Sequence, residues 1–394
     1  MASMLIVHGG APTAVMNASL YGIIEEARTS GGVDRVLAAI GGSEAVLLER
    51  FMDLLAYPED ETRRLLHTPA SSIGTSRFAL EPAHYQQMRQ VLERHDIRWV
   101  LMNGGNGTMD ACGKLHRVCA GAGITVVGVP KTIDNDIAVT DHAPGYASAA
   151  RFVAAVTREV ACDVAALPIH VSIIETMGRN AGWLTAASAL ARREAGDGPH
   201  LIYLPERPFR MDWFLEDVER LSRRHGGVVA VCSEGLRGQD GQLLVPPVFT
   251  AGRSVYPSYA GMHLANAVTR ELGIKARYEK AGLCERSSIP WQSPVDRAEA
   301  EAVGREAVRA ALSGAGGCMI GIERVSSRPY AARFTRIPVE QVMLHERTLP
   351  GEWINERGND VTEGFIDWCR PLVGDELGDH LQFTKLYAKE TGKI

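Results

Sequence analysis

Short apolar segments alternate with amphipathic segments along most of the chain. The apolar segments are, in order, MLIVHGG, RVLAAIGG, IRWVLMNGG, ITVVGVP, HVSIIE, HLIYLPE and GVVAVCSEG. Each is predicted to be a buried strand, and most of them end in Gly, Pro, Asp or Glu. Continuous apolar strands that alternate with helices are typical of parallel sheets covered by helices on both faces. The pattern therefore predicts an α/β fold.

The amphipathic segments predict the helices that connect these strands. VMNASLYGIIEEAR, EAVLLERFMDLL and TMDACGKLHRVCAGA follow the first three strands, and a further helix is predicted within residues 287–313. A long helical pattern begins directly after Gly145, where we predict a change of domain. Ligands of open α/β sheets bind at the carboxyl ends of the strands, so the strand-end loops are where a site is expected.

Composition and charge exclude several classes of partner. The chain has 394 residues and a net charge of -5, from 42 basic and 47 acidic residues, which predicts no nucleic-acid and no membrane partner. The N-terminal apolar run is too short for a signal peptide, and no apolar run approaches the roughly 20 residues of a membrane span. The seven cysteines are scattered without metal-ligand spacing, which indicates reduced thiols in a cytoplasmic protein.

Two strand ends carry glycine-rich turns that open helices, HGGAPTAVMNAS (8–19) and MNGGNGTMDACGK (102–114). Glycine lets backbone N–H groups approach a phosphate, and the helix N-terminus favours the anion. The second turn matches neither GxxxxGK[ST] nor GxGxxG, and either turn alone is also ordinary turn chemistry. Together in one α/β unit they indicate a phosphate site, where Asn106 offers an amide oxygen to a metal.

The segment PKTIDND (130–136) crowds charge at the end of another strand. One carboxylate there would accept the proton of a substrate hydroxyl during phosphoryl transfer, and a second would hold Mg²⁺. Lys131 would neutralise charge on the transferring group. The alternative is a polar turn with helix caps. Gly178 and Arg179 place a guanidinium suited to a sugar phosphate after HVSIIE, although arginine is common on surface loops.

The order of these motifs is similar to that of the phosphofructokinase family. It reads GG-AP-x-x-x-MNA, TSRF, GGNGT, PKTIDND, ETMGRNAGW, SEG and a later R-x8-R, over roughly residues 4–300. The resemblance implies two doubly wound, Rossmann-like domains with largely parallel sheets and an active site at the strand carboxyl ends between them. It also implies Mg²⁺-dependent transfer of a phosphoryl group to the 1-hydroxyl of fructose 6-phosphate or a related sugar phosphate, by a homodimer or homotetramer.

We expect the domains to divide by substrate. Residues 1–145, with a segment near 287–345, would bind the phosphoryl donor and Mg²⁺. Residues 146–286 would bind the sugar phosphate, and 346–394 would form a C-terminal extension.

The resemblance also implies roles for individual residues. Catalysis falls to Asp134 as the base, with Lys131 and Arg179. Donor binding falls to Gly10, Arg77, Gly105, Gly107 and Thr108, and Mg²⁺ binding to Asn106 and Asp136. Acceptor binding falls to Thr132, Asp136, Met177, Gly178, Glu234, Arg277 and Arg286.

Gly107 and Lys131 form a mixed donor signature. Family members that use ATP usually have glycine at both positions, whereas those that use pyrophosphate usually have aspartate and lysine. Gly107 leaves space for an α-phosphate that an aspartate would repel, and Lys131 suits a compact, highly charged donor. The surrounding sequence segments, GGAPTAVMNAS and GGN, resemble those of the pyrophosphate-dependent branch. We favour ATP, and a pyrophosphate-dependent fructose 6-phosphate 1-phosphotransferase is the alternative.

Other departures leave the acceptor open. The family's G-[HY]-x-Q-R reads GLCER here, with Leu283 and with Glu285 beside Arg286. His170 stands where many members have an arginine, and Asn106 where the family usually has a magnesium-binding aspartate. The acceptor could therefore be a different sugar phosphate or an unphosphorylated sugar or polyol. A further alternative is that the protein is a non-catalytic regulator that binds sugar phosphate or nucleotide. The retained base and its neighbours favour catalysis.

Overall fold

The computed structural model describes residues 2–251, 254–256, 258–374, 377–378, 380–384 and 386–387. The chain forms two compact units. Unit 1 comprises the residues up to Ala150, Leu283–Thr348 and Pro371–Val373, and unit 2 comprises Arg151–Gly282, Leu349–Arg370 and the residues from Gly374 onward. Residues 346–394 therefore contribute to both units.

The elements follow the predicted alternation of strands and helices. The strands are β1 (Ser3–His8), β2 (Arg35–Ala39), β3 (Phe51–Asp53), β4 (Ile97–Gly104), β5 (Thr125–Pro130), β6 (Val171–Thr176), β7 (Leu201–Tyr203), β8 (Val228–Ser233), β9 (Phe249–Ala251), β10 (Ser254–Tyr256), β11 (Ala276–Lys280), β12 (Cys318–Ser327) and β13 (Tyr330–Pro338). The α-helices are α1 (Met16–Ser30), α2 (Ser43–Leu47), α3 (Glu59–Thr62), α4 (Pro82–Arg94), α5 (Asn106–Val118), α6 (Tyr146–Ala166), α7 (Trp183–Ala187), α8 (Met211–His225), α9 (Ala260–Ala267), α10 (Cys284–Ser287), α11 (Pro294–Leu312) and α12 (Glu363–Val373). In the described part of the chain, none of these helices combines the length and apolar character that a membrane span needs.

Unit 1 is built on a seven-stranded sheet with the order β13-β12-β5-β4-β1-β2-β3. The five central strands are parallel, and β3 and β13 pair antiparallel at the edges. Successive side chains of a strand face opposite sides of the sheet. Ile6 accordingly packs in one core with residues of α1 and α11, whereas Leu5 packs in a second core with residues of α4 and α5. The predicted doubly wound arrangement is confirmed for this unit.

Unit 2 contains a parallel four-stranded sheet with the order β11-β6-β8-β7, and β9 and β10 form a separate antiparallel pair. Every residue of β6 and β8 is buried. Ile173 packs in a core with residues of α8 and α9, and Ile174 packs with Val164 of α6 on the other face. This sheet is therefore also covered on both sides.

Two predicted helices have different limits in the structure. EAVLLERFMDLL is helical only to Leu47, because the backbone turns at Glu49 with a left-handed φ of 54° and continues as the edge strand β3, which pairs with β2. The helix predicted within residues 287–313 begins at Pro294, where the Ser293 hydroxyl accepts a hydrogen bond from the backbone N–H of Asp296 at 3.3 Å. A serine cap followed by proline is a common helix start.

Candidate active site

Three loops of unit 1 leave the carboxyl ends of the adjacent strands β1, β4 and β5. They are the segments 9–11, 105–108 and 131–136. Backbone hydrogen bonds join them at their roots, from Gly9 N to Asn103 O at 2.8 Å and from Lys131 N to Gly104 O at 3.0 Å. Most of the residues predicted to bind donor and metal therefore lie in one group of loops.

The side chain of Lys131, the first residue of the loop after β5, is buried against the loop after β1. Its side chain is 3% exposed, and its ammonium donates to the carbonyl oxygens of Gly9, at 3.2 Å, and of Ala11. Burial lowers the pKa of Lys131 to about 8, although the charge of Asp134 opposes this shift. The ammonium also lies 3.6 Å from the position that a Cβ at Gly10 would occupy. The structure thus holds a buried cation between the β1 and β5 loops.

The glycine-rich turn after β4 is shaped by close packing around Thr108. A Cβ at Gly104 would lie 2.1 Å from the Thr108 hydroxyl oxygen, and one at Gly9 would lie 2.4 Å from it. Gly105 precedes the first residue of α5, and its carbonyl oxygen accepts from Thr108 N at 2.8 Å. Gly107 is exposed, and a Cβ there would meet no atom within 4 Å. Close packing against Thr108 therefore requires glycine at positions 9 and 104, but not at position 107.

The β1 loop is linked to the TSRF segment. Gly10 has a left-handed φ of 75°, its N–H donates to Ser76 O at 3.1 Å, and its carbonyl oxygen accepts from the Thr75 hydroxyl at 2.8 Å. The amide predicted to contact donor phosphates is therefore engaged by Ser76 in this structure. Arg77 is exposed, and its charge opposes protonation of Lys131.

Thr132 links the two aspartates of PKTIDND. Its hydroxyl donates to Asp136 Oδ1 at 2.9 Å and accepts from the backbone N–H of Asp134 at 3.1 Å. Asn135, between the aspartates, has a left-handed φ of 52°, and its side-chain oxygen accepts from Ala143 N at 3.2 Å. This turn holds Asp134 and Asp136 on a single short loop, as the motif predicted.

Asn106 and Asp136 present oxygen atoms that suit a hard cation. Asn106 Nδ2 donates to Asp136 Oδ2 at 2.9 Å, so its Oδ1 points elsewhere; that atom is buried and has no hydrogen-bond partner among the described residues. Burial raises the pKa of Asp136, and the hydrogen bond from Thr132 opposes the shift. Mg²⁺ is usually bound by one or two carboxylates together with water and substrate phosphates, and these two residues fit that pattern.

A larger metal cluster is not found in the part of the chain that the structure describes. No three or more His, Cys, Asp or Glu side chains are grouped there so that they could hold an ion. Sequence reasoning missed Glu346, whose backbone pairs with Ile137 and whose charge helps to raise the pKa of Asp136. No local motif marks it, because 210 positions of chain separate Glu346 from Asp136.

Arg286 belongs to unit 1 and lies within electrostatic reach of the same loops. Burial lowers the pKa of Arg286, the charge of Arg77 lowers it further, and Asp134 opposes both. Glu285 beside it is buried, whereas Leu283 is 63% exposed. The structure therefore brings this predicted acceptor residue within electrostatic influence of the predicted donor residue Arg77 and the predicted base.

In unit 2, two loops at the ends of β6 and β8 carry the predicted site residues Met177, Gly178, Arg179 and Glu234. The Ser233 hydroxyl donates to Gly178 O at 2.6 Å, and Glu234 N donates to Thr176 O at 3.0 Å. A Cβ at Gly235 would lie 1.8 Å from the Arg179 carbonyl oxygen, so only glycine permits this approach. The loops carrying Met177, Gly178, Arg179 and Glu234 are thus packed together.

Arg277 and His170 lie away from these two loops. Arg277 is exposed on β11 opposite Ser172, early in β6, and His170 is buried just before the amino end of β6. Lys280, at the other end of β11, lies instead beside the loops predicted to bind the acceptor, with its ammonium 3.5 Å from a carboxylate oxygen of Glu234. Sequence reasoning missed Lys280; the only signal was its place inside the R-x8-R segment.

Comparison with known proteins identifies the family. Residues 3–311 match the family described as phosphofructokinase. The chain is 36% identical over 386 residues to a pyrophosphate–fructose 6-phosphate 1-phosphotransferase of Xanthomonas campestris pv. campestris (strain B100), covering 95% of this chain and 92% of the relative. It is 34% identical over 369 residues to a sulfofructose kinase of Alkalicoccus urumqiensis, covering 92% and 95%.

A solved structure gives the same result. The pyrophosphate-dependent phosphofructokinase from Marinobacter aquaeolei matches with a TM-score of 0.88 and 31% identity, covering 97% of this chain and 94% of that one. The predicted fold class and the predicted enzyme class, a phosphotransferase with a hydroxyl group as acceptor, are confirmed. The chain belongs to the phosphofructokinase family, as the order of its motifs predicted.

Proposed function

We propose that the protein transfers a phosphoryl group from ATP to the 1-hydroxyl of fructose 6-phosphate or a related sugar phosphate, with Asp134 as the base. One observation carries this proposal: the loop after β5 combines a buried ammonium, Lys131, with two aspartates, and Thr132 bonds both the carboxylate of Asp136 and the backbone N–H of Asp134. Phosphoryl transfer needs charge neutralisation, a metal-binding carboxylate and a group that orients or deprotonates the nucleophile. A polar turn needs neither a buried cation nor a second carboxylate.

In this mechanism the sugar hydroxyl attacks the terminal phosphorus of the donor while Asp134 accepts its proton. Lys131 stabilises the negative charge on the transferring group from a buried position, where an electrostatic interaction is stronger than in water. Asn106 and Asp136 would hold Mg²⁺, which when bound neutralises charge on the donor phosphates. Gly10, Arg77, Gly105, Gly107 and Thr108 would bind the donor.

The acceptor would be bound chiefly by unit 2. Arg179 would pair with a phosphate or with the transferring group, Glu234 would accept hydrogen bonds from sugar hydroxyls, and Met177 and Gly178 would line the pocket. Arg277 and Arg286 are assigned to the acceptor phosphate by the family resemblance. Unit 1 would supply the donor and metal residues. A cytoplasmic location and a homodimer or homotetramer are part of the same proposal.

The choice of donor rests on position 107. A Cβ there would meet no atom within 4 Å, so Gly107 leaves room for the part of ATP beyond its terminal phosphates. Pyrophosphate is the second candidate, because Lys131 suits a compact donor and because the Xanthomonas campestris relative is named for pyrophosphate. ATP is the donor we propose.

A donor-by-acceptor screen tests the proposal. ATP and pyrophosphate, each with Mg²⁺, are tested against fructose 6-phosphate, other sugar phosphates, sulfofructose and unphosphorylated fructose, and ³¹P NMR identifies the product. We expect turnover with ATP and a phosphorylated ketose. Turnover with pyrophosphate alone would overturn the donor, and equal or better turnover of fructose would overturn the acceptor. Binding of sugar phosphate without turnover under any condition would favour the non-catalytic regulator.

A further inference from the structure

Three charged side chains of unit 2, Glu175, Glu234 and Lys280, form a cluster at the ends of β6, β8 and β11, which we call the Lys280 cluster. The Lys280 ammonium lies 2.6 Å from Glu175 Oε1 and 3.5 Å from Glu234 Oε2. The other oxygen of Glu175 accepts from Gly261 N, in the first turn of α9, at 2.8 Å. The register places Lys280 directly opposite Glu175.

Exposure distinguishes the inner and outer members of the cluster. The side chain of Glu175 is fully buried, whereas those of Lys280 and Glu234 are 22% and 17% exposed. Glu175 is therefore satisfied from inside the unit, and Lys280 and Glu234 form the side that a ligand can reach. Glu234 is also the residue proposed above to bind sugar hydroxyls.

The protonation of Glu234 depends on its neighbours. Burial raises the pKa of Glu234, the Lys280 ammonium opposes this, and the charge of Glu175 raises the pKa further. For Lys280, burial acts against the charge, but ion pairing with Glu175 and Glu234 outweighs it and raises the pKa of Lys280. Lys280 is thus the cation that offsets two neighbouring carboxylates, and Arg179 is a weaker positive influence on Glu234.

The cluster is also bordered by Tyr259, Tyr278 and Cys232. The ring of Tyr259 lies 5.2 Å from the Lys280 ammonium, where a cation–π contact is favourable. Tyr278 and Cys232 lie near Glu175, and burial raises the pKa of each above its ordinary value, so both are neutral at physiological pH.

We propose that Lys280 is a positioning residue for the acceptor, which keeps the Glu234 carboxylate ionised and oriented to accept hydrogen bonds from sugar hydroxyls. This inference rests on the proposed function, because it takes Glu234 to bind the acceptor. An uncompensated pair of carboxylates would share a proton, and a protonated Glu234 would lose one of its two acceptor oxygens. Lys280 therefore selects acceptors that present hydroxyl donors at this point.

The test compares wild type with Lys280→Met, Lys280→Arg and the double variant Lys280→Met/Glu175→Gln. Initial rates give kcat, the KM of each substrate and the pH profile of kcat/KM for fructose 6-phosphate. Titration calorimetry gives fructose 6-phosphate affinity across the same pH range without turnover. Lys275→Met, which removes an exposed lysine just before β11, is the matched control and should match wild type.

Lys280→Met should raise the acceptor KM about ten-fold or more, as expected for a lost hydrogen bond to a charged group, with little change in the donor KM. The acid limb of its pH profile should move upward by about one unit or more, because an opposite charge nearby lowers the pKa of a carboxyl by that amount. Lys280→Arg should restore most of the affinity. Adding Glu175→Gln to Lys280→Met should return the acid limb of the pH profile toward that of wild type. This double variant has two neutral side chains, so it also provides a test if Lys280→Met alone does not fold.

Two failures are distinguishable. If wild type turns over fructose 6-phosphate and Lys280→Met has an unchanged acceptor KM and pH profile, the inference is wrong and the proposed function stands. If wild type turns over no sugar phosphate, the proposed function fails; the calorimetric pH profile then decides the inference, and an affinity that is the same in wild type and Lys280→Met at every pH overturns it.

Discussion

Replacing Lys131 by methionine should lower kcat strongly and change how folding stability depends on pH. The wild-type side chain is 3% exposed, and burial lowers its pKa from 10.5 to about 8. Between these two values the unfolded chain binds a proton that the folded protein has released. The free energy of unfolding must therefore rise with pH across this window. Below about pH 8 the side chain is charged in both states, and the full free-energy cost of burying the charge destabilises the fold.

The size of the effect follows from the shift. A difference of about 2.5 units at about 1.36 kcal/mol per unit places the cost of the buried charge near 3 kcal/mol at neutral pH. Between about pH 7 and about pH 9.5, roughly 2 kcal/mol of this cost should disappear from wild type. Lys131→Met keeps an unbranched side chain of similar length and has no such change. The hydrogen bonds lost to Gly9 and Ala11 contribute an offset that does not depend on pH.

Urea unfolding, monitored by circular dichroism in the presence of EDTA, gives the free energy of unfolding of wild type and of Lys131→Met at about pH 7 and about pH 9.5. All other titrating groups are common to the two proteins and cancel, so wild type should gain about 2 kcal/mol relative to Lys131→Met as the pH rises. The same variant should lose about a hundred-fold or more in kcat, as when one charge-stabilising donor is removed. Lys275→Met should retain full activity. Parallel pH dependence of the two unfolding free energies would refute the buried-cation reasoning.

Two further substitutions test the donor and acceptor residues. Gly107→Asp should lower kcat/KM with ATP about ten-fold or more and spare or raise that with pyrophosphate, because a Cβ there meets no atom within 4 Å and the added carboxylate repels the α-phosphate. Gly107→Asn is the uncharged control, and an unchanged ratio of the two donors would show that position 107 does not select between them. Arg286→Ala should raise the acceptor KM about ten-fold or more and leave the donor KM nearly unchanged. A higher donor KM instead would assign Arg286, which lies within electrostatic reach of Arg77, to the donor.

The parts of the fold that the sequence predicts well are those governed by local pattern. Buried parallel strands appear as continuous apolar runs, so β1, β4, β5, β6 and β8 and the loops that follow them could be placed in advance. The grouping of Lys131, Asp134 and Asp136 follows from a single loop. The edge strand β3 was missed because its start depends on the left-handed backbone of Glu49, which no periodicity signals.

The parts of the candidate site that the sequence did not predict depend on long-range pairing. Lys280 meets Glu175 only because β11 pairs with β6 in a particular register, across 105 positions of sequence. The same register leaves Arg277 exposed at the other end of β11. Arg286 belongs to unit 1 because the chain leaves unit 2 after Gly282, between the two arginines that the R-x8-R motif joins. A motif records spacing along the chain, whereas these contacts depend on where the chain crosses from one unit to the other.

The most direct test of the central claim is the rate of the chemical step in Asp134→Asn. The amide has nearly the shape of the carboxylate and leaves the backbone N–H of residue 134 bonded to Thr132, so the substitution removes the negative charge and the proton acceptor while keeping this hydrogen bond. Single-turnover kinetics with ATP and fructose 6-phosphate should show a fall of about 10² to 10⁴ in rate with acceptor affinity nearly unchanged. Asp110→Asn, which removes a carboxylate paired with Lys114 on α5, is the matched control and should retain its rate. A rate close to wild type in Asp134→Asn would contradict the account.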